Sequence, residues 1–229
     1  MCRFASAEQC QLTSRQPILD GGDCRMRINL ISSLIGLCIF FNPLKSANVG
    51  ANEEVTEYTE IKNDVLEKVL KEIEDISKIE YKITLISRRI KPQVSHVIAE
   101  SVYQHSQDTI DPDLVLAIMS VESWFDPRAK SPAGARGLMQ VMPFWRNECG
   151  DDLYDIDINI KCGIKIYRKY EKMFKRMDMV LTAYNRGPAA VKRDLRAGKD
   201  PRTNYAWSII WMYRKLKKAD FDTIYIAAL

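Results

Sequence analysis

A carboxylate at the end of an apolar helix is the first residue of this chain that could do chemistry. Leu114-Val115-Leu116-Ala117-Ile118-Met119-Ser120-Val121 runs directly into Glu122, and Trp124-Phe125-Asp126-Pro127 follows. A segment apolar on nearly every side is a buried helix. A carboxyl near its end, beside aromatic residues, loses water, and desolvation raises its proton affinity towards that of a general acid. Standing alone, such a glutamate is read equally well as a surface residue. The next segment changes the balance. Ser131-Pro132-Ala133-Gly134-Ala135-Arg136-Gly137-Leu138-Met139-Gln140-Val141-Met142-Pro143 places two glycines where backbone can approach closely. Gln140 offers an amide that can donate to and accept from a sugar hydroxyl or acetamido group. Met142 offers an adaptable apolar wall. Tyr184 and Asn185, in Leu181-Thr182-Ala183-Tyr184-Asn185-Arg186-Gly187-Pro188, add a stacking surface and a polar handle where one helix ends and another begins. Each fragment by itself could be turn chemistry.

The elements that position these residues are helices. Asp111-Pro112-Asp113 is a helix start, with a capping aspartate, proline at the first helical position and an acid near the positive end of the dipole. Pro92 opens another helix, over roughly 93–106. From Glu53 to about Ile90, apolar residues recur at Val55, Tyr58, Ile61, Val65, Val69, Ile73, Ile76, Ile79, Ile83, Ile86 and Ile90. Spacings of three and four define an amphipathic helix or helix pair, which either packs on the remaining domain or docks a protein partner. No strand pattern and no repeat stands out. The expected fold is mostly α, in three parts: residues 1–51 as upstream extension and leader, 52–91 as the amphipathic segment, and 92–229 as the domain carrying Glu122. In 229 residues, 46% of them apolar, there is material for one sizeable core.

Charge and cysteine usage narrow the class. The net charge of +4 is too small to argue for nucleic acid. Its distribution is uneven: residues 92–160 hold 4 basic and 11 acidic side chains, residues 161–229 hold 17 basic and 6 acidic. Such faces are usually solvated, although a basic wall could also meet an anionic polymer. The run Ile28–Phe41, preceded by Arg25 and Arg27, is short for a bilayer span and fits the apolar region of a cleavable export signal. The start could be Met26, and Val49-Gly50-Ala51 supplies the small residues of a cleavage site. Cys2, Cys10, Cys24 and Cys38 precede that point, leaving Cys149 and Cys162 as an even pair, a disulfide in an oxidising compartment. No further Cys or His stands at ligand spacing, so no zinc and no other cofactor is expected.

Taken together, Glu122-Ser123, Gly137-Leu138-Met139-Gln140 with Met142-Pro143, and Ala183-Tyr184-Asn185-x-Gly187-Pro188 resemble the ordered motifs of the soluble-type lytic transglycosylases. The likeness covers roughly residues 92–218. It implies a goose-type, lysozyme-like helical catalytic domain, with Glu122 catalytic and Ser131, Gln140, Met142, Tyr184 and Asn185 lining a glycan groove. The family's fourth motif places a tyrosine after a Glu-Thr pair. Here Pro201-Arg202-Thr203-Asn204-Tyr205 keeps the threonine and tyrosine without the glutamate, so Tyr205 joins the site on a weaker match. Arg186 stands where small residues are usual. The resemblance implies a monomeric, periplasmic or wall-associated enzyme acting on peptidoglycan strands. In the family mechanism one glutamic acid protonates the glycosidic oxygen, and the muramyl 6-hydroxyl then closes onto C1 to give a 1,6-anhydro end. A hydrolytic muramidase, or a non-catalytic glycan-binding helper of an envelope-spanning assembly, are the alternatives. Asp126, the nearest second carboxylate, is expected to initiate the turn before Pro127.

Overall fold

Capping side chains set where the helices begin. The computed structural model describes residues 51–219, which divide at Thr56/Glu57 into two units. The apolar run 28–41, the cleavage site, Met26 and the first four cysteines lie outside the described residues. Helix α1 is Ala51–Ile86, α2 is Pro92–Ser106 and α3 is Pro112–Glu122. A 3-10 turn, Pro143–Trp145, leads into a single turn α4, Arg146–Cys149. Then come α5, Ile156–Phe174, α6, Met177–Arg186, α7, Pro188–Arg196, and α8, Asn204–Leu216. Asp111 accepts the Asp113 N–H at 2.9 Å, Asp155 accepts the Ile158 N–H at 2.8 Å, and Thr203 accepts the Ala206 N–H at 3.5 Å. Each cap satisfies a donor that a helix start leaves unpaired. The described residues hold no strand, only isolated bridges pairing Arg136 with Lys130 and Val141. The mostly helical expectation therefore holds.

The core forms around α3. Leu114 to Met119 are all buried, as an all-round apolar helix requires. α3 packs against α8 and α2, α5 packs against α2 and α6, and α6 packs against α8. Polar pairs then fix α3 in place. Buried Asp113 takes Lys82 of α1 on both oxygens, at 2.7 and 2.9 Å. Asp111 accepts from Tyr213 at 2.8 Å and Lys217 at 3.1 Å, tying the start of α3 to the end of α8. Burial alone would raise the Asp111 pKa, but the hydrogen bonds from Tyr213, Lys217 and the Asp113 N–H outweigh it and hold the group below its ordinary value.

α1 has two different halves. Ile79 and Ile83 enter the core, while Val65, Leu66, Val69, Leu70 and Ile73 are exposed. The two histidines link helices. His96 meets Glu80 at 3.1 Å and His105 meets Asp157 at 2.8 Å, so each joins α2 to another helix, α1 and α5 respectively.

Cys149 and Cys162 are joined, with Cα atoms 5.3 Å apart. The bridge closes the loop between α4 and α5, and Cys162 is buried. In the chain-entropy picture a loop of this size contributes about 3 kcal/mol. Replacing both cysteines by serine should lower unfolding free energy by that order in urea titration, without abolishing the helical circular dichroism signal. An unchanged midpoint would show that the bridge adds no stability.

Candidate active site

Glu122 is the last residue of α3, and the chain turns sharply after it. Trp124 and Phe125 have φ of 52° and 62°, left-handed values that cost side-chain-bearing residues about 1–2 kcal/mol each. This reversal drives Phe125 into the core at 2% exposure and leaves Trp124 outside at 64%. Two aromatic groups that act on the carboxyl come from far away in sequence. They are tyrosines from two other helices. The Tyr205 hydroxyl, in the first turn of α8, donates to Glu122 Oε1 at 2.5 Å. Tyr184, near the end of α6, lies close enough for the Glu122 charge to raise its pKa, after burial, which is the larger cause.

Burial raises the Glu122 pKa to about 7, against the lowering effect of the Tyr205 hydrogen bond. No acidic neighbour contributes to the shift. Tyr205 is itself pushed well above the ordinary phenol value, first by burial and then by the Glu122 charge, so it stays a hydrogen-bond donor. The arrangement is a carboxylic acid that can carry a proton near neutrality and release it to a nearby acceptor.

The loop facing it is built from backbone groups held by named side chains. Ser123, beside Glu122, donates its hydroxyl to the Leu138 carbonyl at 2.8 Å. Tyr184 donates to the Met139 carbonyl at 2.9 Å. Buried Asn159 on α5 donates to the carbonyls of Arg136 and Leu153 at 2.8 and 2.7 Å, and accepts the Met139 N–H at 2.8 Å. The close approach explains Gly137. With φ 73°, a Cβ there would collide with the Asn159 amide and meet the Leu153 carbonyl at 2.7 Å.

Comparison with known proteins adds to this geometry. Residues 101–206 match the family model for the transglycosylase SLT domain. This stretch of the chain belongs to that family. A membrane-bound lytic murein transglycosylase C from Cronobacter sakazakii is 32% identical over 115 residues, which covers 42% of this chain and 32% of the relative. A transglycosylase of Enterobacteria phage PRD1 is 35% identical over 83 residues, covering 36% and 31%. The chain thus spans about a third of the length of these relatives. The 70-kDa soluble lytic transglycosylase of Escherichia coli superposes with a TM-score of 0.42 at 22% identity, over 60% of this chain and 26% of that one.

Within the SLT domain the other residues singled out from sequence take different positions. Tyr184 and Tyr205 stand against Glu122. Ser131 and Gln140 brace their own loop. The Ser131 hydroxyl accepts the Ala135 N–H at 3.0 Å, and the Gln140 amide nitrogen donates to the carbonyls of Gly137 at 2.9 Å and Ala129 at 3.3 Å. Gln140 therefore has its carbonyl oxygen, rather than its N–H groups, to offer a ligand. Met142 is half-buried at the start of the 3-10 turn, and Asn185 is exposed. Asp126 accepts the Arg128 N–H at 2.8 Å, the turn contact expected of it.

Sequence reasoning missed Asn159 and gave Arg186 no task. Arg186 donates to the Pro201 carbonyl at 3.1 Å and pairs with Asp194 at 2.8 Å, joining the end of α6 to the segment that delivers Tyr205. Nothing local marks Asn159 as a clamp, since its three partners lie between 6 and 23 residues away in sequence. Among the described residues no cluster of His, Cys, Asp and Glu could hold a metal, and no helix is long and apolar enough to cross a membrane.

Proposed function

We propose that this chain cleaves the β-1,4 bond between N-acetylmuramic acid and N-acetylglucosamine in peptidoglycan without consuming water. The observation that carries this reading is the half-buried Glu122 carboxyl, with a pKa of about 7, hydrogen-bonded to a phenol and shifted by no acidic neighbour. Glu122 protonates the glycosidic oxygen as the C1–O bond breaks. The resulting carboxylate then takes the proton of the muramyl 6-hydroxyl as that oxygen bonds to C1. Atoms and charge balance, and Glu122 ends in its starting state. Hydrolases of glycosidic bonds pair two carboxylates across the bond. Asp126, the nearest in sequence, is committed to its own turn, which supports the one-carboxylate route.

Ser131, Gln140, Met142 and Asn185 are proposed to line the glycan groove with Tyr184, in a catalytic domain of residues 92–229. Export by a cleavable leader in residues 1–51 would bring the enzyme to the wall and provide conditions for the Cys149–Cys162 bridge. The relatives named as membrane-bound murein transglycosylases support an envelope location.

The pH profile offers one test. Glu122 must begin protonated, and with a pKa of about 7 its acid form declines tenfold per unit at higher pH. The kcat/KM on solubilised peptidoglycan should therefore fall along one alkaline limb centred near pH 7. Glu122→Gln should have no such limb. A wild-type rate that stays flat from pH 6 to pH 9 would contradict Glu122 as the acid.

A further inference from the structure

Three of the four tryptophans of this chain are exposed around one cleft. Trp124, Trp207 and Trp211 are 64%, 47% and 61% exposed, whereas Trp145 is buried at 8%. Side chains this apolar are normally withdrawn from water, and their grouping marks a binding surface. Together with Ser120, Val121, Asn204, Ser208 and Met212 they line a cleft of about 620 Å³, the size of a site for one or a few sugar rings. We infer that the Trp124–Trp207–Trp211 cleft is a second binding site for the amino-sugar rings of a peptidoglycan strand. The inference rests on the glycan-cleaving reading above and extends it beyond the Glu122 groove.

The cleft is distinct from that groove. At about 100° per residue, Ser120 and Glu122 point to opposite sides of α3. On α8, Asn204, Trp207, Ser208 and Trp211 share one face, and the buried Ala206 and Ile209 belong to others. Yet both sites begin at the same junction. Trp124 follows Glu122 by two residues, and Asn204 immediately precedes Tyr205, the donor to Glu122. A polymer engaged at the acid is thus within reach of the tryptophans along its own length or through an adjacent strand.

The chemistry of the lining selects the ligand. Indole rings present flat faces carrying negative quadrupole density, which suit the C–H faces of a pyranose ring. Between them lie polar groups that suit its hydroxyl edge. Asn204 is exposed, and the Ser208 hydroxyl donates to the Asn204 carbonyl at 3.0 Å while keeping its lone pairs as acceptors. The Lys215 ammonium sits 5.2 Å from the centre of the Trp211 ring, restraining that ring. A bilayer surface would call for aromatic side chains projecting from a convex face, as interfacial tryptophans do. Here the rings line a shallow, open cleft with polar side chains between them.

The test uses the full chain carrying Glu122→Gln, so that bound glycan is not consumed. Retention on insoluble peptidoglycan sacculi and quenching of tryptophan fluorescence by a β-1,4-linked N-acetylglucosamine hexamer are measured. The same chain is compared with versions carrying Trp207→Ala and Trp211→Ala, or Trp207→Phe and Trp211→Phe. Loss of two stacking faces should weaken retention about tenfold. The phenylalanine pair should recover most of it, with thermal melting confirming that each variant is folded. Equal retention by the alanine pair overturns the inference. So does a loss seen only on anionic phospholipid vesicles, which would make the cleft a membrane contact. Product release by the chain with Glu122 intact is scored separately. If that chain releases nothing from sacculi while the tryptophan variants still lose hexamer binding, the catalytic reading falls and the second site stands.

Discussion

Glu122→Gln should reduce cleavage of peptidoglycan by at least about 10²–10⁴-fold, the range that one acid–base group commonly supplies. Here the loss should lie at or beyond the upper end, because the same side chain serves both halves of the reaction. Glutamine preserves the shape and can still accept from Tyr205, but it can neither deliver a proton nor recover one. The substitution should also change stability with a defined sign. The Glu122 pKa rises from 4.5 to about 7 on folding, so the folded state holds the proton more tightly. That contribution is present in full below pH 4.5 and is lost as pH rises through 7. Glu122→Gln removes the cost of ionising a half-buried carboxyl. It should raise the melting temperature relative to the parent chain at pH 8, with a ceiling of about 3 kcal/mol from the shift, and make much less difference at pH 4. Full activity in the variant, or a stability gain confined to low pH, would sink this assignment.

Tyr205→Phe should be the next most damaging change in the site. The phenol donates to Glu122 at 2.5 Å and stabilises the carboxylate form that must act as base in the second half-reaction. Without it, burial is left unopposed and the Glu122 pKa moves further up. The alkaline limb of the rate profile should shift to higher pH while the plateau falls by about 10–100-fold, in line with a charge-assisted hydrogen bond of about 1.5–3 kcal/mol. A plateau loss with an unmoved limb would mean that Tyr205 acts on the substrate rather than on Glu122.

The sequence carried the local parts of this site well and the distant parts poorly. The start of α3 was legible because Asp111 and Pro112 act within one turn, and its burial because Leu114 to Met119 are uniformly apolar. Tyr205 was reachable only through a motif lacking its glutamate, since its hydrogen bond to Glu122 spans 83 residues. Asn159 had no sequence signal at all. A polar residue on a helix reads as solvated until the backbone it clamps is known. α1 shows a different limit. Its apolar spacing continues evenly along the helix, yet Ile79 and Ile83 are buried while Val69 and Ile73 are exposed. Periodicity identifies a face, but what covers that face is decided by the rest of the fold. Ser131 and Gln140, proposed above as groove residues, also hold their own loop, a task that sequence does not show because their backbone partners depend on how the loop folds.

The central claim is that an internal hydroxyl, rather than water, completes the reaction at Glu122. Mass spectrometry of fragments released from purified peptidoglycan tests it most directly, with and without borohydride reduction. The expected fragments end in 1,6-anhydromuramic acid, are lighter by one water than the hydrolysed equivalents, and do not take up label from borohydride. Fragments ending mainly in reducing, borohydride-labelled muramic acid would contradict it, since they require water to reach C1 and a second group to activate it.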